Sequence, residues 1–116
     1  MRVHHLAFRS GDLAQLERFY VGALGLPVVR RQDQSVWLDA GGTLLMLERR
    51  DEDETGHPPG SKELVAFAVA PDARALTIER LARAGVSVEA STEFTLYVRD
   101  PDGRRIGLSS YPVPLG

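Results

Sequence analysis

The stretch HHLAFRSGDLAQLERFYVGALGL, residues 4–26, carries the reading on which the fold turns. Val3 to Arg9 alternates enough to predict a strand. Leu6 and Phe8 face one side, and His5, Ala7 and Arg9 the other. By the same parity His4 lies opposite His5 and reads as a bystander. Asp12 then predicts a helix N-cap, with Gln15 at the third helical position completing a capping-box pattern. Leu13, Leu16, Phe19, Tyr20 and Leu24 follow at helical spacing, and Gly25 supplies a left-handed stop.

Downstream, short strands are predicted at about 28–31, 36–39 and 43–49, with Gly41-Gly42 as the last turn between them. The second half repeats the plan. ELVAFAV (63–69) is a strand whose Val65-Ala66-Phe67 mirrors Leu6-Ala7-Phe8. Asp72 is expected to cap a helix carrying Leu76, Leu81 and Ala84 that stops at Gly85. Strands at about 86–89, 94–99 and 104–111 complete it, with DPDG (100–103) as the turn before the last. The plan is βαβββ twice over. Between the copies, RRDEDETGHPPGSK (49–62) is charged and rich in Pro and Gly, the composition of an exposed connection. Module 1 therefore spans about 1–50, the linker 51–62 and module 2 about 63–112. The acidic run Asp51–Glu54 reads as a solvated patch, and His57, beside two prolines, as an ordinary linker residue.

At 116 residues the chain is one domain with a modest core. A formal net charge of −2 supplies no basic field for nucleic acid. No apolar run approaches a bilayer span, and the N-terminus lacks a secretion signal's basic-then-apolar pattern, so the cytoplasm is the expected location. With no cysteine, thiolate nucleophiles and sulfur-rich metal sites are excluded.

The first motif and YVRDPDGRRIGL (97–108), set in a paired βαβββ plan, resemble the vicinal oxygen chelate superfamily, which includes glyoxalase I, bleomycin-resistance proteins and extradiol dioxygenases. The resemblance implies an α+β fold of two modules whose strands curl into a half-open barrel around a concave pocket, commonly paired in a homodimer. In metal-using members the ligands come from the first and last strand of each module. His5 matches the first such position. Its counterpart in the second module is Leu64, and Gly107 stands where the last strand of such enzymes has a carboxylate. In TLLMLER (43–49), if Leu45 and Leu47 pack on the helices, Met46 takes the remaining ligand position and Glu48 shares its face. A thioether suits soft ions, unlike the ions these enzymes use. Glu48 is a conceivable ligand or a strand-end carboxylate in solvent.

A catalytic centre of this type needs at least three protein ligands. His5 and Glu48 are the candidates if a metal is bound, and no metal or other cofactor is expected. Arg9 resembles the anion clamp that glyoxalase I relatives turn to glutathione, and a guanidinium is chemically suited to that role. Trp37, the only tryptophan, faces the pocket with Asp39 if Val36 and Leu38 pack inward. Tyr97 is a candidate lining residue, and core packing competes for Trp37, for Tyr97 and for Phe94.

The ligand-binding set is thus His5, Arg9, Trp37, Met46, Glu48, Leu64, Tyr97 and Gly107. The leading expectation is metal-independent sequestration of a small molecule, with Leu64 and Gly107 leaving apolar, roomier walls. The alternatives are a metal-dependent lyase or isomerase of the glyoxalase I type, or a dioxygenase-type member, and a non-catalytic structural or regulatory module. The expected partners are a small-molecule ligand and a second copy of the chain, with no nucleic acid and no membrane.

Overall fold

Alternating apolar side chains set each sheet: one row is buried, and the next row faces the other way. The computed structural model describes all residues 1–116. They form two units, Met1–Gly56 and His57–Gly116, each with an open four-stranded sheet and one helical segment. No helix is long and apolar enough to cross a membrane.

The first unit contains β1 (His5–Ser10), α1 (Leu13–Glu17) with a π-helical continuation (Arg18–Ala23), β2 (Val28–Arg31), β3 (Ser35–Asp39) and β4 (Leu44–Arg49). The strand order is β1-β4-β3-β2, with β1 and β4 parallel and the other pairs antiparallel. Val36, Leu38, Leu45 and Leu47 are buried, as are Leu13, Leu16, Phe19, Tyr20 and Ala23 from the helical segment. Phe8 meets Tyr20 with ring centroids 5.7 Å apart.

The Asp12 cap forms: its side chain accepts from the Gln15 amide at 3.1 Å. The reciprocal half of the capping box is replaced, because the Asp12 amide donates to Ser10 Oγ at 3.1 Å. The expected single α-helix is a short α-helix that widens into π turns, with the Leu24 amide bonded to the Phe19 carbonyl at 3.0 Å. The wider turn lets the adjacent rings of Phe19 and Tyr20 both face inward, edge to face at 4.8 Å. Gly25, at φ +77°, ends the segment as expected.

The second unit contains β5 (Leu64–Ala68), α2 (Arg74–Arg83), β6 (Ala90–Ser91), β7 (Thr95–Arg99) and β8 (Arg105–Ser109). Its order, β5-β8-β7-β6, repeats the first sheet, parallel pair included. Leu81, Leu96, Val98, Ile106, Leu108 and Leu115 are buried. The turn between β7 and β8 is held by buried Asp100, which accepts from the Asp102 amide at 2.9 Å, the Arg104 amide at 3.0 Å and Arg104 Nη1 at 3.1 Å.

Two expectations fail in this unit. Asp72 does not cap α2: the N-cap is Ala73, with no side-chain acceptor. Arg74 at the helix start is instead tied to the C-terminal segment, its amide to the Gly116 carbonyl at 2.9 Å and its Nε to the Leu115 carbonyl at 2.7 Å. Only Leu81 of α2 is buried. Leu76 is 63% exposed and Ala84 is exposed too. The strand expected at 86–89 forms later, at Ala90–Ser91, and the Glu89 amide makes the first bond to Tyr97 at 2.8 Å.

Candidate functional site

The register of the first sheet decides which side chains share its helix-free face. His5 is level with Leu44 and Asp39, Ala7 with Met46 and Trp37, and Arg9 with Glu48 and Ser35. Because Leu45 and Leu47 are fully buried on the helix side, Met46 and Glu48 stand with His5, Arg9 and Trp37 on the other face. That settles the register that the sequence of β4 left open.

His5 is exposed and packs against Trp37, with ring centroids 5.3 Å apart. His4 is not on the opposite face as expected. It precedes β1, so strand alternation does not govern it, and its Nδ1 lies 2.9 Å from His5 Nδ1. Asp39 is occupied in turning the chain, accepting from the amides of Gly41 and Gly42 at 2.9 and 3.1 Å.

Arg9 organises the far end of this face. Its Nη1 donates to Glu48, and its Nε donates to both carboxylate oxygens of Glu54 at 2.8 Å. Its Nη2 lies 2.8 Å from Glu54 Oε1 and 3.5 Å from Asp51 Oδ2. The bond to Glu54 raises the guanidinium above its ordinary pKa, and the same bond holds the Glu54 carboxyl below the usual range. The Arg9 and Glu54 side chains keep 34% and 30% of their exposure, so solvent screens the pair.

Two expectations are corrected here. Glu48 is neither a solvated strand-end carboxylate nor an unengaged ligand. The run Asp51–Glu54 is not a purely solvated patch, since two of its carboxylates close on Arg9. Sequence reasoning missed Asp51 and Glu54 as site residues. One signal for them existed: β4 runs parallel to β1, so the chain leaving β4 emerges beside Arg9, and the first acidic residues after it are those four.

In the second unit the corresponding face carries Leu64, level with Arg105 and Arg99; Ala66, level with Gly107 and Tyr97; and Ala68, level with Ser109 and Thr95. Tyr97 occupies the place of Trp37, and Gly107 that of Met46. Leu64 is 42% exposed. Tyr97 lies under the Arg105 guanidinium, 4.2 Å from ring centroid to Cζ, and Arg105 also faces Glu89 at 3.5 Å. Phe94 lies before β7 rather than in it, and packs edge to face on Tyr111 at 5.1 Å.

Gly107 does not leave a roomier wall. It is buried, and a Cβ there would sit 3.2 Å from Ala66 Cβ, 3.4 Å from Thr95 Cγ2 and 3.5 Å from Leu64 Cδ1. The neighbours have closed over the missing side chain. His57 is half-buried rather than solvated, and its Nε2 is buried without a hydrogen-bond partner. Within either unit, no group of three or more His, Cys, Asp or Glu side chains is placed to hold a metal ion. The ligand pattern of the metal-using relatives therefore finds one imidazole, one carboxylate engaged by Arg9, and hydrocarbon or backbone at Leu64 and Gly107. This donor set does not fit such a centre.

Comparison with known proteins agrees with this architecture. The sequence model of the Glyoxalase/Bleomycin resistance protein/Dioxygenase superfamily matches residues 2–108. Virulence protein STM3117 of Salmonella typhimurium is 29% identical over a 123-residue alignment covering 95% of this chain and 84% of that protein. A glyoxalase/dioxygenase from Nostoc punctiforme superposes with a TM-score of 0.78 at 20% identity, covering 92% of this chain and 88% of that one. The trypanothione-dependent glyoxalase I of Leishmania major gives 0.76 at 26% identity, covering 94% and 86%. The chain belongs to the glyoxalase/bleomycin resistance protein/dioxygenase superfamily.

Proposed function

We propose that this protein is a small-molecule binder of the glyoxalase/bleomycin-resistance type that holds an organic ligand on the open face of its first sheet without a metal. The observation that carries the reading is the state of Glu48. Of the two carboxylates on that face, Asp39 is bonded to the Gly41 and Gly42 amides, and Arg9 already engages Glu48. With Leu64 and Gly107 at the matching positions of the second sheet, His5 is the only unengaged donor that matches the ligand positions of the metal-using relatives. Second-shell contacts tune ligands that exist and cannot replace missing ones. What the face does offer is an indole, a thioether and a guanidinium in neighbouring rows, which suits an apolar body with a polar end.

The second reading is a metal-dependent lyase of the glyoxalase I type, favoured by His5 at the first ligand position and by the likeness to the Leishmania glyoxalase I. Elemental analysis of the purified protein separates the two. The binder carries no stoichiometric Ni, Zn, Fe or Mn, and His5→Ala keeps the same stability relation to wild type in EDTA and in excess Zn²⁺. About one ion per chain, lost in His5→Ala, would overturn this reading and install the lyase.

A further inference from the structure

We propose that Arg30, turned onto the open face of the first sheet by a bulge in β2, determines ligand specificity there, favouring a flat aromatic carboxylate whose ring lies on Trp37. The inference rests on the ligand-binding reading above and adds the ligand class and the residue that chooses it.

The bulge is read from the register. Val28 is level with Leu38, yet Arg30 is level with Trp37 and Arg31 with Val36, so β2 takes two steps where β3 takes one. In a regular strand Arg30 would share the side of Val28. The extra residue reverses this, as bulges do when they re-aim a side chain. Val36 and Leu38 are buried on the helix side, so Arg31 goes with them and Arg30 goes with Trp37 to the open face. Arg31 supports the alternation independently, because its Nη1 donates to Glu17 at the end of α1.

The two arginines of this face differ in what holds them. Arg9 is engaged by Glu48 and Glu54. Arg30 is exposed, and its side chain makes no hydrogen bond or ion pair. The carboxylates that share its face are committed elsewhere, Glu48 to Arg9 and Asp39 to the Gly41 and Gly42 amides. An anion arriving at Arg9 must expel Glu54, whereas at Arg30 it displaces only water. A free guanidinium offers such an anion two parallel donors.

The separation from the indole is set by direct pairing. Arg30 and Trp37 are opposed on neighbouring strands, an arrangement that holds Cβ atoms about 4.5–5.5 Å apart. His5 packs on the indole from β1, on the far side of β4, at 5.3 Å between ring centroids, and Arg30 stands on the opposite, β2 side. A flat ring lying on the indole therefore has its edge at the guanidinium, where a carboxylate on that edge completes the ion pair.

Calorimetric titration in EDTA tests this with naphthalene-2-carboxylate and its uncharged carboxamide, on wild type, Arg30→Gln, Arg31→Gln and Trp37→Ala. Arg31→Gln removes the same charge from the other face of the same strand. In wild type the carboxylate is expected to bind about tenfold tighter than the amide. That preference is kept in Arg31→Gln and lost in Arg30→Gln, and Trp37→Ala weakens both compounds. A preference that survives in Arg30→Gln, or falls equally in the two arginine variants, overturns the role of Arg30. Equal affinity of wild type for both compounds overturns it too and leaves the ligand-binding reading standing. No binding of either compound to wild type overturns the proposal together with metal-free binding of flat aromatics on this face.

Discussion

Restoring a side chain at Gly107 tests whether the second sheet has closed over its missing ligand position. In Gly107→Ala the new Cβ meets Ala66 Cβ at 3.2 Å. Ala66 is on β5, at the edge of its sheet, and is exposed, so β5 has room to shift by a few tenths of an ångström. Stiffening the unfolded chain contributes about 0.4–1 kcal/mol in the variant's favour. The crowding offsets it, and the net change is expected within about 0.5 kcal/mol. Gly107→Glu is different. Its longer side chain must pass Thr95 Cγ2 and Leu64 Cδ1, and overpacking of this kind costs about 1–3 kcal/mol. Its carboxylate starts from a buried position, and Arg105, in the adjacent row of β8, is already held over Tyr97 and beside Glu89. A loss of about 2–3 kcal/mol follows, or about 8–12 °C in Tm for a chain of this length. Urea unfolding should be followed by far-ultraviolet circular dichroism, because Trp37 reports on the other unit. A Gly107→Glu protein with the wild-type midpoint and slope would refute the reasoning, since the space would then be open to a family-like carboxylate.

The two helix starts should respond differently to the same change. Asp12→Ala loses an acceptor for the Gln15 amide and is expected to cost about 1 kcal/mol, whereas Asp72→Ala, which caps nothing, should stay within about 0.5 kcal/mol; equal shifts in denaturation midpoint would contradict the cap assignment. Glu54 titrates below the ordinary glutamate value because of Arg9, so its contribution to holding the loop is complete above that value and disappears as pH falls through the depressed one. Carboxyl-carbon NMR should find its midpoint below the other exposed glutamates and moved up in Arg9→Met; a midpoint at or above theirs would remove the ion pair from solution. Each open sheet leaves two edge strands, β1 and β2 or β5 and β6, and pairing with a second copy is an economical cover. Light scattering at micromolar concentration is expected to give about twice the chain mass, and a monomer without concentration dependence would exclude it.

The chain's own pattern was sufficient for the duplicated βαβββ plan, because strand and helix periodicities are local and each repeat states them again. Val28–Arg31 appears with the boundaries its sequence predicts, and Gly25 and Gly85 both stop helices at positive φ. The failures came where a residue's partner is distant in the chain. The Asp12 and Asp72 positions look alike, yet α2 begins one residue later because Arg74 is anchored by the C-terminal segment, more than 40 residues away. The face of Met46 and Glu48 could not be read from a strand of near-uniform leucines; burial of Leu45 and Leu47 against α1 decided it. Arg9 and Glu54 are 45 residues apart, and only the parallel pairing of β1 with β4 brings the acidic loop onto the guanidinium. Composition marks that loop as solvated because composition carries no register. A single half-exposed arginine fork, placed by the sheet, is what draws Glu54 and, more loosely, Asp51 onto it.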